Sequence, residues 1–334
     1  MANPILVEVT RGNGVESRHR GAIAVIDGAG LVVASMGDIE TAIFPRSAIK
    51  PLQALALVES GAADHFNLDD AELALACASH SGEPAQVDKV NGWLARLGLG
   101  IDDLECGAHG PRHDADTAAM VRTGQTPDRS YNNCSGKHAG FLSTALHMNE
   151  PTRGYAKADH PVQQRLKAIL EDLGACDLSS TPHGIDGCGI PVIAMPLVAM
   201  ARALSRMANP AGLPVLRATA SGRILSAMTR CPEMVGGTGR FDTRMMAAGR
   251  GAVVVKTGAE GVYAGILPRL GLGIALKIDD GATRAAETAM AAMLKHFGAL
   301  DGGVMAPVAD LLEPVIANAA GEPVGSVRWV GDLA

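Results

Sequence analysis

Ser47 and Lys50 stand three residues apart near the start of the chain, and Lys256-Thr257-Gly258 follows an apolar run far downstream. On a helix, residues i and i+3 share a face, so the spacing lets Lys50 reach the Ser47 hydroxyl. A serine hydroxyl is a poor nucleophile until a neighbouring base takes its proton. Lysine can serve as that base only where burial or a second cation lowers its pKa. Two lysines converging on one pocket would supply the repulsion, so the pattern points to covalent, serine-based catalysis. A second serine lies between them in chain order, in Cys77-Ala78-Ser79-His80-Ser81-Gly82-Glu83. Polar residues crowded just past an apolar run suit a pocket edge, although Ser79 or Ser81 could equally terminate or cap a helix.

The stretch Asn132-Asn133-Cys134-Ser135-Gly136-Lys137-His138 places Lys137 and His138 at i+3 and i+4 from Cys134. A second cysteine is flanked by glycines in Gly184-Ile185-Asp186-Gly187-Cys188-Gly189. Such flanking implies a bent backbone or a close approach. Two cysteines and a nitrogen base suit zinc, and metal chemistry alone nominates His138 as the nitrogen; two buried thiols beside a capped helix are the plainer alternative. His109, His113 and His183 fall in Gly- or Pro-rich loops and read as ordinary polar groups, with His109 and His113 a weaker candidate for a substrate rim.

The elements that must position these residues divide by region. Residues 4–10 and 22–35 read as strands, the second broken by a turn at Asp27-Gly28-Ala29-Gly30, with a charged stretch separating the two. Strand patterns return at 252–255, 262–267 and 271–278, followed by an Ala-rich helix over 282–297 and a polar tail around Trp329. Between them, apolar residues at three- and four-residue spacing predict helices near 47–60, 70–78, 84–97, 136–147, 161–174, 191–207 and 214–229. The expected class is α+β: an antiparallel sheet built from both chain ends with a large helical insertion. Residues 1–45 plus 250–334 would form the sheet and terminal helices, 46–249 the mainly helical insertion, all packed as one catalytic unit. The cleft would then lie where Ser47 opens the helical body and Lys256 ends a strand.

With 334 residues and 47% apolar composition the chain can bury a sizeable core. Its net charge of −6, with no basic run, argues against a nucleic-acid surface. No export signal and no apolar stretch of about 20 residues is visible, so a cytoplasmic protein with no membrane association is expected. The six cysteines should then be thiols.

The order of Ser47-x-x-Lys50, a central serine and Lys256-Thr257-Gly258 resembles the layout of penicillin-binding proteins and serine β-lactamases, but the expected location and the metal-like cysteines weigh against a penicillin-recognising hydrolase. Five ordered segments together resemble the rhizobial-type (class 3, asparaginase II) L-asparaginases: Arg46-Ser47-Ala48-Ile49-Lys50-Pro51, Ser79-His80-Ser81-Gly82-Glu83, Asn133-Cys134-Ser135-Gly136-Lys137-His138, Gly184-Ile185-Asp186-Gly187-Cys188-Gly189 and Lys256-Thr257-Gly258. The resemblance implies a β-lactamase/glutaminase-like fold, a homodimer, and hydrolysis of L-asparagine to L-aspartate and ammonia. It implies that Ser47 and Lys50 form one nucleophile–base pair and that Ser79 and Lys256 face them as a second. It implies Arg46, His80 and Asp186 at the substrate. It also implies a zinc site of Cys134, Lys137 and Cys188, so His138 becomes a neighbour of the metal rather than a ligand. A lysine ligand must be deprotonated, which requires a strongly depressed Lys137 pKa. Glutaminase activity and a non-catalytic zinc-binding role are the competing readings.

Overall fold

Long-range strand pairing ties the two ends of the chain together in the computed structural model, which describes residues 2–333. Strands β1 (Ile5–Arg11), β2 (Gly14–Ile26), β3 (Val32–Met36), β8 (Val254–Thr257), β9 (Val262–Leu267), β10 (Leu272–Ile278), β11 (Val315–Ala317) and β12 (Pro323–Trp329) form one antiparallel sheet. Its order is β11-β12-β1-β2-β10-β9-β8, with β3 also paired to β2. Short strands β4 (Ala42–Ile43) with β7 (Met195–Pro196), and β5 (His183–Ile185) with β6 (Pro191–Ile193), make two small ribbons. The sheet is thus assembled from both ends of the chain, and the segment between β4 and β8 is mainly helical.

The helices are α1 (Lys50–Gln53), α2 (Leu55–Glu59), α3 (Ala62–His65), α4 (Asp70–Ala76), α5 (Pro84–Arg96), α6 (Asp114–Thr123), α7 (Ser135–His147), α8 (Pro161–Gly174), α9 (Leu197–Ala208), α10 (Val215–Arg230), α11 (Pro232–Val235), α12 (Phe241–Gly249), α13 (Thr283–His296) and α14 (Ala309–Leu312). None of them is long and apolar enough to cross a membrane, among the described residues. Local chemistry sets several starts. Asp69 and Glu72 form a reciprocal capping box on α4, and proline opens α5 and α8, where its missing N–H does no harm.

Helix α9 covers one face of the sheet and α13 the other. Gly273 on β10 shows how closely: a Cβ there would meet Ser205 N at 2.2 Å and Ala201 O at 2.3 Å, so the α9 backbone rests on the strand itself. Gly265 on β9, paired with Ile274 one residue on from Gly273, faces the opposite way and abuts Met290 of α13. Because both faces are covered, residues 21–26 and 262–267 are buried throughout, and such strands read as continuous apolar runs.

Four sequence expectations change. The charged stretch before residue 22 is strand, not a separator: β2 begins at Gly14 and pairs with β1 around a turn at Gly12-Asn13. One face of that half is open to water, and Arg18 and Arg328 flank Glu8 across neighbouring strands. The expected helix over 191–207 starts only at Leu197, because Pro191–Ile193 and Met195–Pro196 are extended. The helix expected over 47–60 is broken into a 3-10 turn at Arg46–Ile49, α1 and α2. The tail near Trp329 is not a loose polar segment: Val7, Glu8 and Val9 pair with Trp329, Arg328 and Val327.

Candidate active site

Five elements bring the reactive side chains together. Ser47 lies in the 3-10 turn, half-buried, and Lys50 opens α1 one turn later. Ser79 follows α4, where its N–H donates to Val235 O at 3.0 Å and the next N–H donates to Asn133 O at 3.2 Å. Lys256 sits near the end of β8. Cys134 and Lys137 stand at the start of α7, which lies so close to α4 that a Cβ on Gly136 would meet Leu75 O at 2.4 Å. The end of β8 presses on the Ser47 turn in the same way: a Cβ on Gly258 would meet Pro45 O at 3.1 Å and Ala48 N at 3.2 Å.

The Ser79 hydroxyl lies between two buried amines, 2.9 Å from Lys256 Nζ and 3.2 Å from Lys50 Nζ. Lys50 also donates to Ala78 O and, at 3.1 Å, to Cys134 Sγ. Those three acceptors use every N–H of an ammonium. Two expectations are therefore corrected. No side-chain hydrogen bond joins Ser47 to Lys50 among the described residues, although the Lys50 N–H donates to Ser47 O, because the amine is drawn past the Ser47 hydroxyl to three other acceptors. Lys50 is also not placed as a ready neutral base. Lys256 is the better-placed amine: burial, reinforced by Lys50 and Arg240 and opposed by Asp242, pulls its pKa down to about 7.

Ser47 is the serine left open. Its hydroxyl and its N–H have no partner among the described residues. Arg46, immediately before it, has φ +49°, a strained left-handed conformation for a side-chain-bearing residue. Such strain collects at sites where the surroundings enforce it. The Arg46 guanidinium grips Asp186 through Nε at 2.9 Å and Nη2 at 2.8 Å. Burial works against the Asp186 charge, but Lys137, Arg46 and the Gly187 N–H outweigh it and hold the carboxyl below its usual range. A cavity of about 210 Å³ lies against Arg46 and Asp186, with Ile49, Gln53, Gln163 and His183 in its walls. A larger groove, about 880 Å³, lies between Arg244, Arg269 and Val304 and touches none of the reactive residues.

Cys188 sits in the β5–β6 turn, where Gly189 takes φ +90° and so needs to be glycine. Gly187 meets no such demand and has open space around its Cα. Lys137 Nζ donates to Cys188 Sγ at 3.1 Å. The Cys134 Sγ donates to Asn133 Oδ1 at 3.2 Å. The nearby Cys134 sulfur, with Lys137 and Lys50, overcomes burial and drives the Cys188 pKa down to about 4, and the Cys134 pKa is pushed up in return. Burial disfavours the Lys137 ammonium, yet the two sulfurs and Asp186 outweigh it, and its pKa rises. The depressed Lys137 pKa that the sequence reading required is thus not what the metal-free geometry produces. Two sulfurs and an amine nonetheless form a donor set that zinc accepts. No group of three His, Cys, Asp or Glu that could hold a metal occurs among the described residues; this cluster has two such residues and a lysine.

His80 is corrected as a substrate contact. It is fully buried, its Nε2 bonds Ser135 Oγ at 2.8 Å, and its Nδ1 accepts from the Gly82 N–H at 3.1 Å. Burial lowers its pKa to about 3, so it is a neutral strut. His138 is likewise buried and neutral. Its Nδ1 accepts from the Tyr155 hydroxyl at 2.8 Å, and its ring makes no hydrogen bond to Cys134, Lys137 or Cys188. Sequence reasoning missed Asp242, buried in the first turn of α12 with Oδ2 3.9 Å from Lys256 Nζ. Its position resembles that of any acidic residue at a helix start, so only the fold marks it.

The sequence profile of the L-asparaginase II family matches residues 7–329. No curated protein matches the chain. Among solved structures, Mglu in its native form at 4.3 M NaCl is 14% identical, with a TM-score of 0.45 over 86% of this chain and 63% of that one. Mglu in its L-glutamate binding form gives 16% identity and a TM-score of 0.47 over 86% and 62%. The β-lactamase Mb2281c from Mycobacterium bovis gives 17% and 0.44 over 83% and 94%. The chain therefore spans less than two thirds of the length of these two Mglu structures.

Proposed function

The chain belongs to the L-asparaginase II family, and from that premise we propose that it is an amidohydrolase converting L-asparagine to L-aspartate and ammonia, with Ser47 as nucleophile. The observation that carries this reading is the unbroken hydrogen-bonded series Lys50–Ser79–Lys256, ending in an amine whose pKa lies near neutrality. It begins one helical turn from the one reactive serine whose hydroxyl and N–H are both uncommitted.

The proton path follows from the donors. Lys256, when neutral, accepts the Ser79 hydroxyl proton as Ser79 takes one from Lys50. The Lys50 amine so freed takes the Ser47 proton while Ser47 Oγ bonds to the side-chain amide carbon of the substrate. Charge moves to the amide oxygen, where the unused Ser47 N–H supplies an oxyanion donor. Collapse of the tetrahedral adduct breaks the C–N bond, and the nitrogen leaves as ammonia with a proton returned along the series. Water then attacks the Ser47 ester, giving its proton to the same path and releasing aspartate. Asp186 holds the substrate's α-ammonium group and Arg46 its carboxylate, within the adjoining cavity of about 210 Å³.

Cys134, Lys137 and Cys188 would hold zinc, which would fix the Asp186 turn and add positive charge beside the substrate. Binding would displace the Lys137 proton.

Ammonia release from asparagine and from glutamine, each with and without chelator, tests reaction and substrate together. Intact-mass and peptide analysis after quenching should find the acyl group on the peptide carrying Ser47. An acyl group on the Ser79 peptide would reverse the roles of the two serines, and no amide turnover at all would overturn the assignment.

A further inference from the structure

Behind Lys256, on the side away from Ser79, lies a buried polar group that the proton path does not use. Asp242 is 2% exposed. Its Oδ2 accepts the Thr257 N–H at 3.0 Å and lies 3.9 Å from Lys256 Nζ. Its Oδ1 accepts the Tyr263 hydroxyl. One carboxylate thus joins α12 to adjacent residues of β8 and to β9. The groups around Lys256 come from every neighbouring element: Asp242 from α12, Arg240 just before it, Lys50 from α1, Cys77 from the end of α4 and Cys134 from the start of α7. Around Asp242 itself stand Tyr263, Arg240 and Glu287 of α13, whose carboxyl is pushed up to about 7 by burial and by the Asp242 charge. Asp242 is therefore the only carboxylate within ion-pair reach of the Lys256 amine among the described residues.

We propose that Asp242 is a positioning residue for the reaction: its carboxylate anchors the strand end that carries Lys256 and sets the pH at which that amine becomes able to accept the serine proton. The inference rests on the Lys256 role proposed above. Without Asp242, burial and two cations would leave the amine little reason to hold a proton near neutrality, and its conjugate acid would be too strong to return one efficiently to the departing nitrogen. With the carboxylate in contact, the amine would be too basic. At 3.9 Å the pull is intermediate, which suits a group that must both take and give a proton.

The test is the pH profile of kcat/KM for asparagine in Asp242→Asn, measured beside Lys256→Met and Tyr263→Phe. Asparagine at 242 keeps the shape and can still accept the Thr257 N–H, but it removes the charge that favours the ammonium. The acid limb should therefore move to lower pH by about one to three pH units. Tyr263→Phe keeps the carboxylate and should leave the limb within a few tenths of its wild-type position. Should Asp242→Asn fail to fold, the double variant Asp242→Ser with Tyr263→Phe removes the charge together with the hydroxyl that would lose its partner, and the same downward shift is expected. A folded charge-removed variant whose activity falls at all pH values with the limb in place would show a purely structural role and overturn the inference. An equal shift in Tyr263→Phe would do the same. If Lys256→Met itself retains a wild-type acid limb, the Lys256 role fails instead, and the two failures are told apart.

Discussion

Two lysines of this molecule are almost fully buried within one site and titrate in opposite directions. Lys256 is 1% exposed and its pKa falls to about 7, whereas Lys137 is 2% exposed and its pKa rises. Burial penalises both ammonium groups, so burial does not decide the outcome. The neighbours do. Lys137 faces the two sulfurs of Cys134 and Cys188 and the Asp186 carboxylate, and together they outweigh the desolvation cost. Lys256 faces one carboxylate at 3.9 Å, with Lys50 and Arg240 against it. Without metal, the same side chain is therefore a held cation in the cysteine region and a titratable base in the serine region. A lysine's chemistry is set by the balance of charge around it more than by its depth.

The largest effect that would break this comparison is on turnover. Lys256→Met should lower kcat/KM for asparagine by about 10²–10⁴-fold, the usual weight of a general base. Lys137→Met should act first on metal content and only indirectly on the chemical step. Equal losses of kcat in both variants, with zinc content unchanged, would mean that the two lysines do not have separate roles. Ser79→Ala sharpens the point, because it cuts the link between Lys50 and Lys256 while leaving both amines in place. It should lose activity comparably to Lys256→Met, and the double variant should be little worse than either single one, since residues acting as a unit are non-additive.

A second, smaller effect concerns the metal. Cys188→Ser removes the sulfur that carries the negative charge of the cluster. If the cluster holds zinc as proposed, the content measured by elemental analysis after dialysis should fall to a small fraction of that of the wild type, because a hydroxyl is a poor substitute for a thiolate. Undiminished zinc would assign the metal elsewhere and reduce the cysteine region to a buried ion pair.

How much of this was legible before folding differs between the two regions. Cys134 and Cys188 were legible as a pair because of the glycine flanks and the polar groups crowded around them, but metal chemistry alone chose His138 as the nitrogen, and Lys137 came only with the family resemblance; in the structure Lys137 reaches Cys188 while the His138 ring turns to Tyr155. The serine region was only half legible. Ser47, Lys50, Ser79 and Lys256 were found, but the i,i+3 argument paired Lys50 with Ser47. That argument assumes a helix running through both residues; here the chain passes from a 3-10 turn into α1 between them, and stronger acceptors lie across the cleft. His80 read as a contact because it lies beside Ser79, yet both its nitrogens are spent on Ser135 and Gly82. Asp242 carried no signal, since its partners come from β8 and β9, more than a dozen residues on. The sheet's central strands were visible as apolar runs, while β12 and the outer half of β2 were hidden because one face of each meets water and the composition is polar.

The smallest expected effect is also the most direct check of opposite signs. A lysine whose folded pKa lies below its unfolded value costs stability, and the cost is complete below the folded pKa. For Lys256 the folded chain loses its proton near pH 7 while the unfolded chain keeps it to about pH 10.5. The unfolded state binds more protons between those limits, so the penalty fades as pH rises through that window. Lys137 works the other way: its raised pKa contributes stability that is complete below about pH 10.5 and is lost only as pH climbs through its higher folded value. Thermal unfolding of metal-free protein at pH 6.5 should therefore show Lys256→Met more stable than wild type by about 1–4 kcal/mol, as when a buried ionic group gives way to a packed apolar one. Lys137→Met should be less stable, by about 3–5 kcal/mol, because it leaves the Cys188 thiolate buried without its amine. Repeating the melts toward pH 10 should erode the gain in Lys256→Met while leaving most of the loss in Lys137→Met. Midpoints moving in the same direction for both variants would show that packing, and not the charge around each amine, separates the two lysines.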